Sequence, residues 1–177
     1  MTYDFILAID PSGSFYEGKG CTGWCILESA SERITLTGNL YAKKHTRSEE
    51  YWQAHLKLID EFNKRYQDRM IVVIEDYLIY AKYSQTHINS RMETSRLIGI
   101  IQYYCFKQNI PYAMQLAVQV KNRWTDEILQ HKGFLIQSKR KLVLPVSEKV
   151  VDRHCRDSIR HAVHYHTFKN RGEANVQ

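Results

Sequence analysis

Residues 5–10 have the sequence FILAID, in which five apolar residues are followed directly by an aspartate. Residues 70–75 have the sequence MIVVIE and repeat this pattern, with a glutamate at the end. Apolar runs of this length are typical of strands buried on both faces of a sheet. A buried carboxylate is costly without a partner, so packing alone does not explain Asp10 and Glu75. The two runs therefore predict neighbouring central strands that end in functional acids.

The remaining sequence predicts the element order βββαβαβα. Two further strands, 23–27 and 34–40, form an antiparallel meander with the first, and a fifth strand covers 111–117. Apolar periodicity predicts helices at 48–66, 92–107, about 119–131 and 151–168, and 133–147 is expected to be a basic loop. Strands that alternate with helices favour parallel pairing. The expected fold is an α/β mixed five-stranded sheet with helices on both faces.

In this fold Asp10 and Glu75 lie side by side at the carboxyl ends of parallel strands, where open α/β sheets bind ligands. A third acid, Asp157, lies in the last helix, three residues after His154. Residues three or four apart share a helix face, so His154, Asp157 and His161 line one side. Clustered carboxylates can hold two divalent cations, which activate water and stabilise the leaving oxygen of a phosphodiester. The sequence therefore predicts a metal-dependent nuclease.

Bulk properties agree with a nucleic-acid partner. The chain has 177 residues and a net charge of +6, which suits a polyanion. We expect one domain over 1–168 and a flexible tail over 169–177. No apolar run approaches the roughly 18 residues that span a membrane, and the start of the chain lacks the basic region of a signal peptide. The four scattered cysteines fit reduced thiols. These features predict a cytoplasmic protein without a membrane partner or a small-molecule cofactor.

Four segments resemble the motifs of the RuvC-type Holliday junction resolvases. Residues 6–12, ILAIDPS, together with 22–24, are similar to the first motif, and 73–75 to the second. Val120 and Lys121 open a segment similar to the basic helix start, and 154–162, HCRDSIRHA, resembles the closing helix. The resemblance covers residue 5 to about residue 166 and is strongest to small phage-encoded members. The chain departs from the family in a longer turn after the first aspartate.

The resemblance implies an RNase H-like fold and a homodimer that resolves four-way junctions in DNA recombination and repair, leaving 5′-phosphates. It places the enzyme in the cytoplasm, or in the host cytoplasm if it is phage-encoded. Asp10 would bridge two Mg²⁺ ions, Glu75 would bind one, and Asp157 and His154 would complete their shells. Because imidazole suits Mn²⁺ better than Mg²⁺, Mn²⁺ is expected to substitute. Alternatively, His154 orients or deprotonates the attacking water.

Other polar residues of the last helix have two interpretations each. Asp152 is expected to be the N-cap of the helix rather than a metal ligand. His161 is either a partner of a ligand or a surface histidine.

The helix at 92–107 has apolar residues on more than one face, which indicates either deep burial or a homodimer seam.

DNA contacts are expected from aromatic and basic side chains near the motifs. Tyrosines beside a lysine suit stacking on unpaired bases, although they could also pack their own loop. A basic run before the last helix suits phosphate binding. The expected contacts are Tyr77, Tyr80, Lys82, Lys121, Lys139, Arg140, Lys141 and Arg156.

Two other functions remain open from the sequence. An RNase H-like nuclease could act on a flap, on replication-fork DNA or on an RNA–DNA hybrid. A catalytically inactive nucleic-acid-binding module could keep the fold without the metal. The intact set of Asp10, Glu75 and Asp157 argues against this second alternative.

Overall fold

A five-stranded mixed sheet forms the centre of the structure, a computed structural model that describes residues 2–76 and 92–170. The strands lie in the spatial order β3-β2-β1-β4-β5. Strand β1 pairs antiparallel with β2 and parallel with β4, and β4 pairs parallel with β5. The α/β fold predicted from the sequence is therefore confirmed. The strands are β1 (Phe5–Asp10), β2 (Cys21–Glu28), β3 (Arg33–Tyr41), β4 (Met70–Asp76) and β5 (Tyr112–Leu116).

Helices cover both faces of this sheet. One face carries the long helices α1 (Ser48–Tyr66) and α2 (Glu93–Lys107). The other face carries α3 (Ala117–Lys121), α4 (Asp126–His131) and α5 (Arg153–Tyr165). None of the helices in 2–76 and 92–170 is both long enough and apolar enough to cross a membrane.

The alternation of side chains along the central strands divides the core into two layers. In β1, Leu7 and Ile9 pack under α1 and α2, whereas Ile6 and Ala8 pack under α5. Asp10 continues the row of Ile6 and Ala8 and so emerges on the α5 face. Glu75 follows Val73 in the same way in β4. Both acids therefore leave the sheet on the same side.

A glycine lets α5 approach the sheet closely beside these acids. Gly23 of β2 pairs with Asp10, and a Cβ atom at this glycine would lie 2.1 Å from the carbonyl carbon of His154. Any larger side chain at Gly23 would push the first turn of α5 away from the sheet. The close contact therefore places His154 next to Asp10.

Three expectations differ from the observed elements. The helix expected at 119–131 is broken into α3 and α4, because Thr125 accepts a hydrogen bond from Ile128 N and so begins a new helix. The expected basic loop contains a hairpin of β6 (Ile136–Ser138) and β7 (Lys141–Val143). The α5 helix continues through a π-helical turn, His166–Asn170, and Asn170 is buried.

Asn170 anchors this final turn to the start of the chain. Its amide nitrogen donates hydrogen bonds to Tyr3 O at 2.7 Å and to Ser29 Oγ at 2.9 Å. Packing therefore extends two residues into the segment that was expected to be a tail. The rest of that segment, 171–177, lies outside the described residues.

Candidate active site

The four residues expected to form the metal site are brought together. Ile9 and Ile74 are paired in the parallel β1–β4 ladder, so Asp10 and Glu75 end neighbouring strands at the same edge. The first turns of α5 bring His154 Nδ1 to 3.0 Å from Asp10 Oδ2. Asp157, one turn further along α5, is bridged to Glu75 by a lysine. The four residues therefore come from two strand ends and one helix.

The bridging lysine is Lys121, the last residue of α3. Its Nζ atom lies 3.0 Å from Glu75 Oε1 and 3.0 Å from Asp157 Oδ2. Partial burial would lower the pKa of Lys121, but the charges of Glu75 and Asp157 outweigh burial and raise it. Lys121 was expected to contact DNA, whereas in this structure its ammonium group lies within the acidic cluster.

Glu75 has a second partner in His161, which is fully buried. His161 Nε2 lies 2.9 Å from Glu75 Oε2, and His161 Nδ1 lies 2.9 Å from Gln115 Oε1. Burial alone would raise the pKa of Glu75, but the hydrogen bond and charge of His161, together with Lys121, lower it to about 2. Of the two interpretations of His161, the structure supports a partner of Glu75.

Arg160 holds the remaining oxygen of Asp157. Its guanidinium group forms ion pairs with Asp157 and with Asp126, and its Nε donates to Trp124 O at 2.7 Å. Arg156 also faces Asp126, with its Nε 3.3 Å from the carboxylate. The DNA contact expected of Arg156 stays a prediction, and in this structure its charge is directed at Asp126.

Asp10 is less well compensated than the other two acids. Burial raises its pKa to about 6, and the charges of Glu75 and Asp157 add to this effect. The hydrogen bond from His154 lowers the pKa of Asp10 only partly, and the same bond raises the pKa of His154. Asp10 is therefore a buried carboxylate whose negative charge is costly in the absence of a further cation.

Asp152 has the role expected from the sequence. Its carboxylate accepts a hydrogen bond from Cys155 N at 2.9 Å and caps α5. Its other oxygen accepts from Asn39 Nδ2 at 2.8 Å. Both oxygens are thus engaged at the helix terminus and not in the acidic cluster.

The remaining expected DNA contacts fall into two groups. Lys139 and Arg140 form the turn between β6 and β7, and Lys141 begins β7. The expected contacts Tyr77, Tyr80 and Lys82 lie outside the described residues.

Two supporting residues were missed by the sequence analysis. Gln115 pairs with Glu75 in the β4–β5 ladder. The sequence signal for its role was a polar residue near the end of a strand that packs against the core. Arg160 lies three residues after Asp157, a spacing that places the two on one helix face. Neither signal is specific by itself, because both arrangements are common in structural ion pairs.

The donor set fits a divalent cation, although the side chains are not yet arranged around one. Within 2–76 and 92–170, no three histidine, cysteine or carboxylate side chains are gathered as a group that could hold a metal ion. Lys121 instead lies between Glu75 and Asp157. Three carboxylates and one imidazole suit Mg²⁺ or Mn²⁺. A cation bound between Glu75 and Asp157 would have to displace the Lys121 ammonium group.

The strand order, the helices on both faces and the acids at the ends of β1 and β4 define an RNase H-like fold. The structure is similar to that of T. thermophilus RuvC in complex with a Holliday junction substrate, with a TM-score of 0.69 and 15% sequence identity. The match covers 98% of this chain and 99% of that chain. No protein-family model and no curated protein matches the chain. The RuvC-type fold predicted from the motifs is confirmed.

The raised pKa of Asp10 predicts that neutralising this residue stabilises the folded protein. Its folded pKa, about 6, lies above the ordinary value of 3.8, so the ionised carboxylate destabilises the folded state as the pH rises from 3.8 through 6. Without divalent cations, Asp10→Asn should be about 2–3 kcal/mol more stable than the wild type at pH 7.5. This gain should disappear below about pH 4, where Asp10 is protonated in both states. Urea unfolding in EDTA across this pH range measures the difference.

Glu75→Gln is the matched control, and we expect the opposite change in the stability of the folded protein. The folded pKa of Glu75, about 2, lies below the ordinary value of 4.5, so its charge stabilises the folded state above pH 4.5. The variant should be less stable than the wild type at pH 7.5, and the loss should shrink as the pH falls from 4.5 towards 2. Equal stability of Asp10→Asn and wild type at pH 7.5 would contradict the described charge balance.

Proposed function

We propose that this protein is a divalent-metal-dependent endonuclease that cuts phosphodiester bonds in branched DNA, with four-way junctions as its principal substrate. The observation that carries this proposal is the convergence of Asp10, Glu75 and Asp157 from two parallel strand ends and one helix. The similar fold of a RuvC solved with a Holliday junction substrate supports the choice of DNA. The net charge of +6 also suits a polyanionic substrate.

In this proposal Asp10, Glu75, His154 and Asp157 would hold two Mg²⁺ ions, for which Mn²⁺ could substitute. Bound there, the ions would activate water and stabilise the leaving oxygen. His161 and Arg160 keep Glu75 and Asp157 oriented, since each engages one oxygen of its carboxylate. His154 uses Nδ1 to contact Asp10 and is only partly buried, so its Nε2 would bind a cation or, as the alternative to that role, orient a water or accept its proton.

The β6–β7 hairpin supports contact with phosphates. Its two turn residues, Lys139 and Arg140, have φ values of 43° and 66°. This left-handed region normally favours Asn and Gly in a two-residue hairpin turn, and other residues lose roughly 1–2 kcal/mol each there. Leu142 O accepts a hydrogen bond from Val151 N at 2.9 Å, which places the hairpin beside the start of α5. Two strained basic residues in a hairpin that borders the start of α5 support a function in binding.

An exposed stripe on α2 supports the homodimer. Its residues recur every three or four positions, and the two aromatic ones, Tyr103 and Phe106, are 65% and 71% exposed. Gly99 has open space above it, which would let a second helix approach. Spacing of this kind is typical of helix–helix seams, and a twofold seam would place two sites on symmetric strands. The stripe consists of Met92, which immediately precedes α2, and of Arg96, Gly99, Tyr103 and Phe106.

The first prediction from this function concerns cleavage. Asp10→Asn should bind a labelled four-way junction as tightly as the wild type but should not cut it in Mg²⁺, because the substitution removes a metal-binding charge and leaves the basic surface intact. Asp152→Asn is the matched control: it makes the same chemical change at the α5 cap and should retain cleavage. Cleavage by Asp10→Asn would remove this residue from the site.

The same assay separates the rival functions. A duplex, a flap, a replication fork and an RNA–DNA hybrid should be cut more slowly than the junction. Preferential cleavage of one of these substrates would support a nuclease whose principal substrate is not the four-way junction. Absence of any metal-dependent cleavage, with binding intact, would favour the inactive binding module.

The hairpin predicts opposite changes in stability and affinity. Lys139→Asn together with Arg140→Gly supplies the residues that the turn favours, so the folded protein should gain about 1–2 kcal/mol. The same change removes two cations, so the slope of log K against log salt for DNA binding should become shallower by about 2. Higher stability excludes misfolding as the cause of weaker binding. An unchanged slope would show that the hairpin does not contact phosphate.

The α2 stripe predicts the mass in solution. Light scattering at micromolar concentration should give about twice the chain mass for the wild type and the monomer mass for Phe106→Glu, because a charge would be buried in the seam. Val146→Glu is the control, since Val146 is 60% exposed and lies outside α2. Ile101, which is also in α2, is fully buried in the core, so a charge placed there would disrupt the fold and would not test the dimer seam. A monomeric wild type would contradict the dimer.

A further inference from the structure

A short 3₁₀ turn after β3, Ala42–Lys44, exposes two adjacent lysines that have no assigned role. The ammonium groups of Lys43 and Lys44 lie 5.6 and 5.4 Å from the ring centroid of Tyr41. Among the described residues, no carboxylate lies within 4 Å of either ammonium group. Nearby Lys19 differs, since it is paired with Glu17. The turn therefore carries two uncompensated positive charges side by side.

The position of the turn relative to the candidate active site follows from the sheet register. Gly23 of β2 pairs with Asp10 on one side and with Asn39 on the other, and Tyr41 ends β3 two residues later. Tyr41 is therefore two strands away from Asp10 across the sheet and two residues further along the strand direction. With the usual strand spacing and rise per residue, the Cα atoms of Tyr41 and Asp10 are about 12 Å apart. The lysines are thus at the same edge of the sheet as the acids, on its β3 side.

The turn is also fixed in place. Ala42 is buried, and its backbone N donates a hydrogen bond to Gly20 O at 2.8 Å. This bond ties the turn to the connection that leads from Asp10 to β2. The backbone that carries the two lysines consequently has a fixed position relative to the site, unlike that of a free terminus.

We infer that Lys43 and Lys44 form a second phosphate-binding element, which holds the DNA strand a few nucleotides from the bond that is cut. This inference rests on the proposed function. Successive phosphates of one strand rise about 3.4 Å along the duplex axis and also turn about it, so a separation of about 12 Å spans only a few nucleotides. Lysine binds phosphate as a point charge, and the neighbouring Thr46 and Arg47 are polar rather than apolar. An acidic protein partner would need apolar anchors, so the surroundings favour nucleic acid.

The test compares two double variants with the same change in charge. Lys43→Gln with Lys44→Gln removes the proposed element. Lys64→Gln with Lys107→Gln removes two exposed lysines from the C-terminal ends of α1 and α2, at the opposite edge of the sheet. Affinity for a labelled four-way junction is measured in EDTA at several salt concentrations, so that no strand is cut.

Loss of two phosphate contacts should make the slope of log K against log salt shallower by about 2 and should weaken binding at least about tenfold at low salt. The control pair should keep the wild-type slope. Equal slopes for the two double variants would overturn the inference. Failure of the wild type to bind or cut branched DNA would instead refute the proposed function, so the two failures are distinguishable.

A phosphate scan locates the contact. Single methylphosphonate groups, which are uncharged, replace the phosphates on either side of the cut one at a time. Neutral groups a few positions from the cut should weaken binding by the wild type but not by Lys43→Gln with Lys44→Gln, because the partner charge is already absent. The same loss in both proteins would show that other residues contact these phosphates.

Discussion

The parallel register of β1 with β4 is the constraint on which the candidate site depends. Side chains alternate between the faces of a sheet, so a shift of one residue in either strand would send its acid to the α1 and α2 face. The buried rows that include Leu7 and Val72 on one face, and Ile6 and Val73 on the other, fix this register. Asp10 and Glu75 then emerge on the α5 face as a consequence of packing that lies deeper in the core.

The three carboxylates at this edge are not equally well paired with basic groups. Each oxygen of Glu75 and Asp157 faces a basic group: Lys121 contacts both residues, His161 completes Glu75, and Arg160 completes Asp157. Among the described residues, His154 is the one basic group within 4 Å of Asp10, and burial raises the pKa of Asp10 to about 6 although His154 and the charge of Lys121 oppose this. Functional sites commonly retain such destabilising groups because the ligand supplies the missing interaction. The residue with the poorest compensation is also the one that the proposed mechanism needs most.

The sequence predicted the parts of this structure that depend on periodic burial. The runs 5–10 and 70–75 identified the central strands and their terminal acids, and the spacing of His154 and Asp157 identified the helix face. The parts that depend on single local interactions were not predicted. Thr125 divides an apparently continuous helix by capping α4, and Asn170 anchors the last turn through two hydrogen bonds. The β6–β7 hairpin was missed because Lys139 and Arg140 are unfavourable turn residues, so no turn signal was present.

Under the proposed function, DNA has to approach an acidic centre on a basic protein. Three carboxylates would repel phosphate, but Lys121 and Arg160 already offset two of those charges within hydrogen-bonding distance. At physiological salt the field of the remaining charge is screened over about 8 Å. In the proposed complex, a phosphate bound at Lys43 and Lys44, in a turn that follows Tyr41 about 12 Å from Asp10, would therefore be governed mainly by those local cations. Under the proposed function, this separation would let the basic elements set affinity while the acids serve the chemistry, which is why neutralising Asp10 is expected to leave DNA binding intact.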